Sequence, residues 1–200
     1  LDKVFDRLIA GQLKGLPDTS PPWPAANGYW CYGTYSGYTS CRDSSTTQLV
    51  VAGMASARRA YIDGPFKDTV RLAQLDAATE LARKAYERNG TAGGGCTADP
   101  QPANEKGHGY NAGNANSIQQ TASGLWIQLV GGAGLNWPDV QRYLRWQQNR
   151  YRWQNIDSVN GGWSQSYWYY LWSSFKAYQF LVDSGAVPQA GNIGVADIGT

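Results

Sequence analysis

A leucine, a glutamine one helical turn later, and a glycine turn closed by tryptophan occur twice in this chain, once near each end. Leu8 and Gln12 precede Gly28-Tyr29-Trp30, and Leu144 and Gln148 precede Gly161-Gly162-Trp163. Leu-x3-Gln on a helix puts both side chains on one face. The Gln amide can then reach the backbone at the start of the next element. The Gly allows a tight turn, and the Trp, apolar in body and polar at its tip, covers the joint. A chain punctuated in this way is constrained to helices fastened at such joints. Gln12, Gly28, Trp30, Gln148, Gly161 and Trp163 are accordingly expected to be structural rather than ligand contacts.

Helical periodicity fills the space between the joints. Apolar residues at helical spacing predict helices over 1–14, from the Asp43-Ser44-Ser45 start to about 61, and over 66–88, 117–130, 137–154 and 164–183. The second carries Leu49, Val50, Met54 and Ala57. The third carries Val70, Leu72, Leu75, Ala78, Leu81, Ala82, Ala85 and Tyr86. Asp43, Asp68, Asp76 and Asp139 sit at helix starts or on polar faces and read as caps and solvated charge. Gly64-Pro65, Asn89-Gly90 and Gly131-Gly132 end helices, and Pro138 suits a first turn. Residues 15–42 and 89–114 read as loops, the second too poor in apolar residues to pack on its own. The expected fold is all-α: three antiparallel helical hairpins in one domain. Leu8, Leu81 and Leu144 mark divergent repeats of about 70 residues, over 1–63, 64–134 and 135–184, with an irregular tail at 185–200. In the middle repeat no Gln follows at the matching place, and His108-Gly109-Tyr110 stands where Gly-x-Trp is expected.

Composition narrows the function classes. A net charge of +2, with Lys and Arg scattered, gives no basic stripe for nucleic acid. No run of about 18 apolar residues predicts a transmembrane segment. The opening Leu1 already lies in an amphipathic pattern, which reads as a piece of a longer chain. Nine Trp and thirteen Tyr against four Phe point to joints, clefts and wet interfaces. Cys31 and Cys41 flank a Tyr/Gly/Ser loop and are expected to form a disulfide, leaving Cys96 over. A disulfide implies an extracytoplasmic setting, periplasmic or secreted.

These motifs resemble the repeats of the terpenoid cyclase and prenyltransferase/squalene-oxidase proteins, the family of squalene–hopene cyclases. Asp43-Ser44-Ser45-Thr46-Thr47-Gln48-Leu49 is similar to the Asp-x-Ser-x-Thr-Gln helix start of its bacterial repeat proteins. Gln120-Thr121-Ala122-Ser123-Gly124-Leu125 and Tyr169-Tyr170-Leu171-Trp172 resemble later members of the series. The resemblance spans nearly the whole chain, with Gln-to-Gly spacings longer than the strict motif. It implies an α/α-toroid of inner and outer helices around a cavity, of which three hairpins make about half a ring.

The family's chemistry is not matched. Cyclases of this kind protonate an alkene with an Asp-x-Asp-Asp cluster, and metal-dependent synthases use Asp-Asp-x-x-Asp; neither occurs here. Zinc-dependent members need Asp, Cys and His ligands, whereas His108, the sole His, shares a loop with Cys96 alone and reads as a loop histidine. Gly95-Cys96-Thr97-Ala98 is not a thioester motif. Gly93-Gly94-Gly95 lacks the ending of a phosphate loop and reads as flexible. No catalytic residue, metal site or cofactor is expected. Trp126, Trp146, Trp168, Tyr169 and Trp172 are the candidate ligand-facing aromatics, weighed against packing in the hairpin joints. The reading is a non-catalytic repeat domain, a binding or assembly module with a protein partner or a second copy of itself. The alternatives are a cyclase or prenyltransferase fragment acting on an isoprenoid, or a carbohydrate-binding or carbohydrate-processing α/α protein.

Overall fold

The computed structural model describes residues 2–14, 26–32, 41–93, 102–151 and 167–199. These form six α-helices: α1 (Asp2–Gly11), α2 (Ser44–Asp63), α3 (Thr69–Asn89), α4 (Ile118–Val130), α5 (Pro138–Arg150) and α6 (Tyr167–Asp183). Two 3-10 turns lie at Pro102–Asn104 and Val195–Asp197. No β-strand occurs among the described residues, only isolated bridges such as Thr91–Gly107 and Gly109–Asn116. The fold is all-α.

The caps fall at residues suited to them. Asp43 accepts from the Thr46 N–H at 2.6 Å and from the Ser45 hydroxyl at 2.9 Å. Asp68 accepts from the N–H groups of Val70 and Arg71, so α3 starts at Thr69 and not at 66. Ser117 caps α4, and Pro138 opens α5 in a first turn that needs no N–H donor. Two apolar residues assigned to buried faces are exposed instead, Leu49 on α2 and Val70 on α3. Both sit one helical position off the stripe that packs.

The helices alternate in direction. Ser44 near the start of α2 meets Tyr86 near the end of α3, while Arg58 pairs with Asp76. On α4, Gln128 donates to Arg83 O of α3, and the Gly124 backbone lies against the Tyr143 ring of α5. Thus α1, α3 and α5 run one way, and α2, α4 and α6 the other. Helix α4 is the hub: it packs on α2, α3, α5 and α6, and every residue from Ile118 to Leu129 is buried. Gln48 of α2 bonds Ser173 of α6 at 2.8 Å, so the three like-directed helices draw together at their N-terminal ends.

The first joint has the expected form. The Gln12 amide donates to Ala78 O at 2.8 Å and Gly28 O at 3.3 Å. The indole N–H of Trp30 donates to Leu8 O at 2.7 Å, and Trp30 is buried. Gly28 has φ +99°, and a Cβ there would fall 2.5 Å from Leu81 O and 2.7 Å from the Ala85 Cβ. Gln148 behaves differently. Its amide donates to Asp197 O at 3.0 Å and ties down the tail, while its neighbour Gln147 is the fully buried one. Gly161 and Trp163, like Cys96, lie outside the described residues. The tail is irregular yet anchored: Gln141 exchanges bonds with Ile193 N and O, and Asn136 holds Gln189 and Asn192.

Candidate functional site

Two polar centres and one aromatic face emerge from this packing. The first centre is built on His108, which sequence alone reads as a loop histidine and which is buried. Its Nε2 lies 2.8 Å from the Tyr29 hydroxyl, and its Nδ1 lies 2.7 Å from Gly109 O and 2.9 Å from Ser44 Oγ. The ring stacks on Tyr86 at 4.2 Å. Its backbone N–H donates to Thr121 Oγ1. Burial, more than any neighbouring charge, lowers the imidazole pKa to about 4, so the ring is neutral near pH 7.

The partners fix its tautomer. Gly109 O can only accept, so Nδ1 carries the proton and Nε2 accepts from Tyr29. The Tyr29 hydroxyl in turn accepts from Asn89 Nδ2 at 3.2 Å. Ser44 Oγ also donates to Gly109 O at 2.9 Å. A serine activated for acyl transfer needs an imidazole nitrogen free to take its proton. Here the nearer nitrogen is already protonated and the hydroxyl is committed to a carbonyl. The arrangement ties the loop around residue 108 to α2, α3 and α4, and Tyr29, Ser44 and His108 are all buried in it.

The second centre is the Glu105–Arg150 pair, wholly buried and joined twice, at 2.8 and 2.9 Å. Asn149 Nδ2 and the Gly93 N–H also donate to Glu105. The Arg150 guanidinium lies 4.4 Å over the Trp146 ring. Trp146 has no exposed surface, and its indole N–H donates to Gly93 O at 2.7 Å. Of the five candidate aromatics, Trp146 is thus placed in the joint between α5 and the backbone at Gly93 and Gly107. Residues 91–93 and 102–107 pack through polar side chains and backbone pairs rather than apolar ones.

The other four aromatics gather on the α4–α6 side. Trp168, Trp172, Phe175, Gln179 and Val182 recur at helical spacing along the outward face of α6, with Trp168 77 % and Phe175 63 % exposed. Lys176 Nζ sits 4.6 Å from the Trp172 ring centre and 5.6 Å from that of Trp126. It has no carboxylate partner among the described residues. Phe180 meets Trp126 edge-on at 5.9 Å. Tyr169 turns inward, donating to Gln48 Oε1 at 3.0 Å beside Ser173 and Ser123. Burial raises the Tyr169 hydroxyl to about 12. The structure thus separates one inward polar network from one outward apolar stripe.

Sequence reasoning missed Tyr29, Ser44, Gln48, Glu105, His108 and Arg150. The available signal was the polar run Ser44–Gln48 and the Gln119–Ser123 stretch inside amphipathic helices. Those hydroxyls and amides occupy buried positions, where a polar side chain needs a partner. Among the described residues, no three of His, Cys, Asp and Glu come together as a metal site, and no helix is long and apolar enough to cross a membrane.

These features define an all-α array of alternating helices with two buried polar centres, one a neutral histidine network and one an ion pair, and one exposed aromatic flank. No family model, no curated protein and no solved structure matches the chain.

Proposed function

We propose that this chain is a non-catalytic helical repeat domain that binds or assembles with protein through the outer face of α6. One observation carries the reading: an apolar stripe, Trp168, Trp172, Phe175 and Val182, interrupted only by Gln179, on a helix whose opposite face is already buried against α4. A stripe of this kind, larger than the scattered apolar residues of an ordinary surface, marks an interaction site. Alternation of α1, α3, α5 against α2, α4, α6 supports the toroid-like reading, in which α6 is an end awaiting the next unit. The Cys31–Cys41 disulfide supports an extracytoplasmic setting.

The test is a photo-crosslinking amino acid placed at Phe175, with exposed Lys84 on α3 as the control position. Protein adducts at 175, to this chain or to another, and none at 84 are the expected result. If position 175 yields no protein adduct in the cells that make the chain, the binding reading fails.

A further inference from the structure

Helix α6 is one of three like-directed helices, and each member of that layer packs on the next: α2 on α4, and α4 on α6. The two outer flanks of the layer differ in a complementary way. The flank of α6 is bulky, with Trp168, Trp172 and Phe175 exposed, and the middle of the α2 flank is uncharged and mostly small, with Leu49, Gly53 and Ser56 exposed. A Cβ built on Gly53 meets nothing within 4 Å. Resting on the binding reading above, we infer that the occupant of the α6 face is the α2 flank of a second copy of this chain, joined head to tail.

Shape, charge and area point the same way. Ridges of large side chains pack into grooves left by small ones. Within one chain, Gln48 of α2 is level with Tyr169 and Ser173 of α6. If the second copy's α2 takes the same level, its Arg59, eleven residues further on, lies level with Asp183 at the end of α6. Among the described residues, Arg59 is largely exposed and held by Asp63 one turn away, and Asp183 accepts from Gln179 on its own helix. The midsections of both flanks carry a single charge, Lys176, which Trp172 and Trp126 already shield. Aromatic side chains bury about 150–250 Å² each, so the α6 stripe offers on the order of 500 Å². Matched by α2, this reaches the roughly 1,000 Å² of total surface that a specific interface needs. The contact is heterologous, so each copy keeps one free flank and assembly continues until a ring closes or a filament grows.

Sedimentation velocity on purified full chain tests this with two exposed-site variants, Phe175→Glu and Gly53→Glu, whose folding is checked by circular dichroism. Wild type is expected to gain mass across the micromolar range. Each variant alone is expected to stay monomeric, because each lacks one of the two flanks. Mixed in equal amounts they are expected to form a dimer and stop there, since one copy supplies an intact α6 and the other an intact α2. Arg59→Asp is expected to weaken association several-fold, and Asp183→Arg in the same chain to restore it. A wild type that stays monomeric overturns the inference. Association that survives Gly53→Glu, or variants that fail to complement, also overturns it. Adducts at position 175 to a different protein, with a monomeric wild type, would sink the self-association and leave the binding reading standing.

Discussion

At the residue scale, two side chains report how the joints are held. Trp30 fills the first joint and donates to Leu8 O, while Gln12 spans Gly28 and Ala78. Trp30→Ala removes a buried aromatic and orphans a carbonyl, and should cost about 3–5 kcal/mol in denaturant unfolding. If instead it unfolds like wild type, the plug role is wrong. His108 gives a pH signature. Its folded pKa of about 4 lies below the ordinary 6.5 because burial disfavours the imidazolium. The unfolded chain therefore binds a proton that the folded chain refuses. Its contribution is complete above pH 6.5 and is lost as pH falls from 6.5 to about 4, on the order of 3 kcal/mol in all. His108→Gln should be less stable at neutral pH but lose much less between those limits. An identical pH slope in the two proteins would remove His108 as its source.

At the element scale, residues 91–93, 102–107 and 26–32 are held by partners far away in sequence. Glu105 and Arg150 are 45 residues apart and wholly buried. Removing one member of such a pair leaves an uncompensated charge, so Arg150→Met should destabilise by about 3–5 kcal/mol. Replacing both, Glu105→Leu with Arg150→Met, should recover part of the loss. No recovery would mean that the bonds to Asn149 and Gly93, not the pair, carry the effect. The Cys31–Cys41 bridge, with Cα atoms 5.8 Å apart, holds the segment beside Trp30. A loop this short should contribute about 2–3 kcal/mol, so Cys31→Ser with Cys41→Ser should lower Tm by roughly 5–10 °C for a chain of this size. Unchanged melting under reduction would rule that out. The same contrast explains what the sequence made legible. Helices, caps and the Gln12–Gly28–Trp30 joint follow from local spacing and turn chemistry, and so does the outward stripe of α6. The polar centres do not, because nothing near Glu105 in sequence announces Arg150, and a lone histidine among glycines looks solvated. Gln148 differs from Gln12 for a related reason: in Trp146-Gln147-Gln148 adjacent glutamines point to different sides, and only tertiary packing decides that Gln147 is buried and Gln148 reaches the tail.

At the scale of the whole molecule, α4 decides how the chain unfolds. Every other long element except α1 packs on it, and its polar side chains Thr121, Ser123 and Gln128 bond to the 108 loop, to its own backbone and to α3. Nothing can expose α4 without separating two neighbours at once, so its amides should exchange only through global opening. Helix α1 is different: it is ten residues long and touches the rest chiefly through Phe5, Gln12 and the Arg71 bridges to Asp2 and Asp6. The outward face of α6 is exposed, but its amides are protected by the face that lies on α4. The expected order in native-state hydrogen exchange is therefore α4 slowest, α2, α3 and α6 next, and α1 fastest. Gly124 offers a direct perturbation, since a Cβ there would lie 2.6 Å from the Tyr143 ring. Gly124→Val should force α5 away from α4 and lower the protection of both helices together, with α1 unaffected until global unfolding. If α4 exchanges as fast as α1 in the wild-type protein, α4 is not the centre of the cooperative unit.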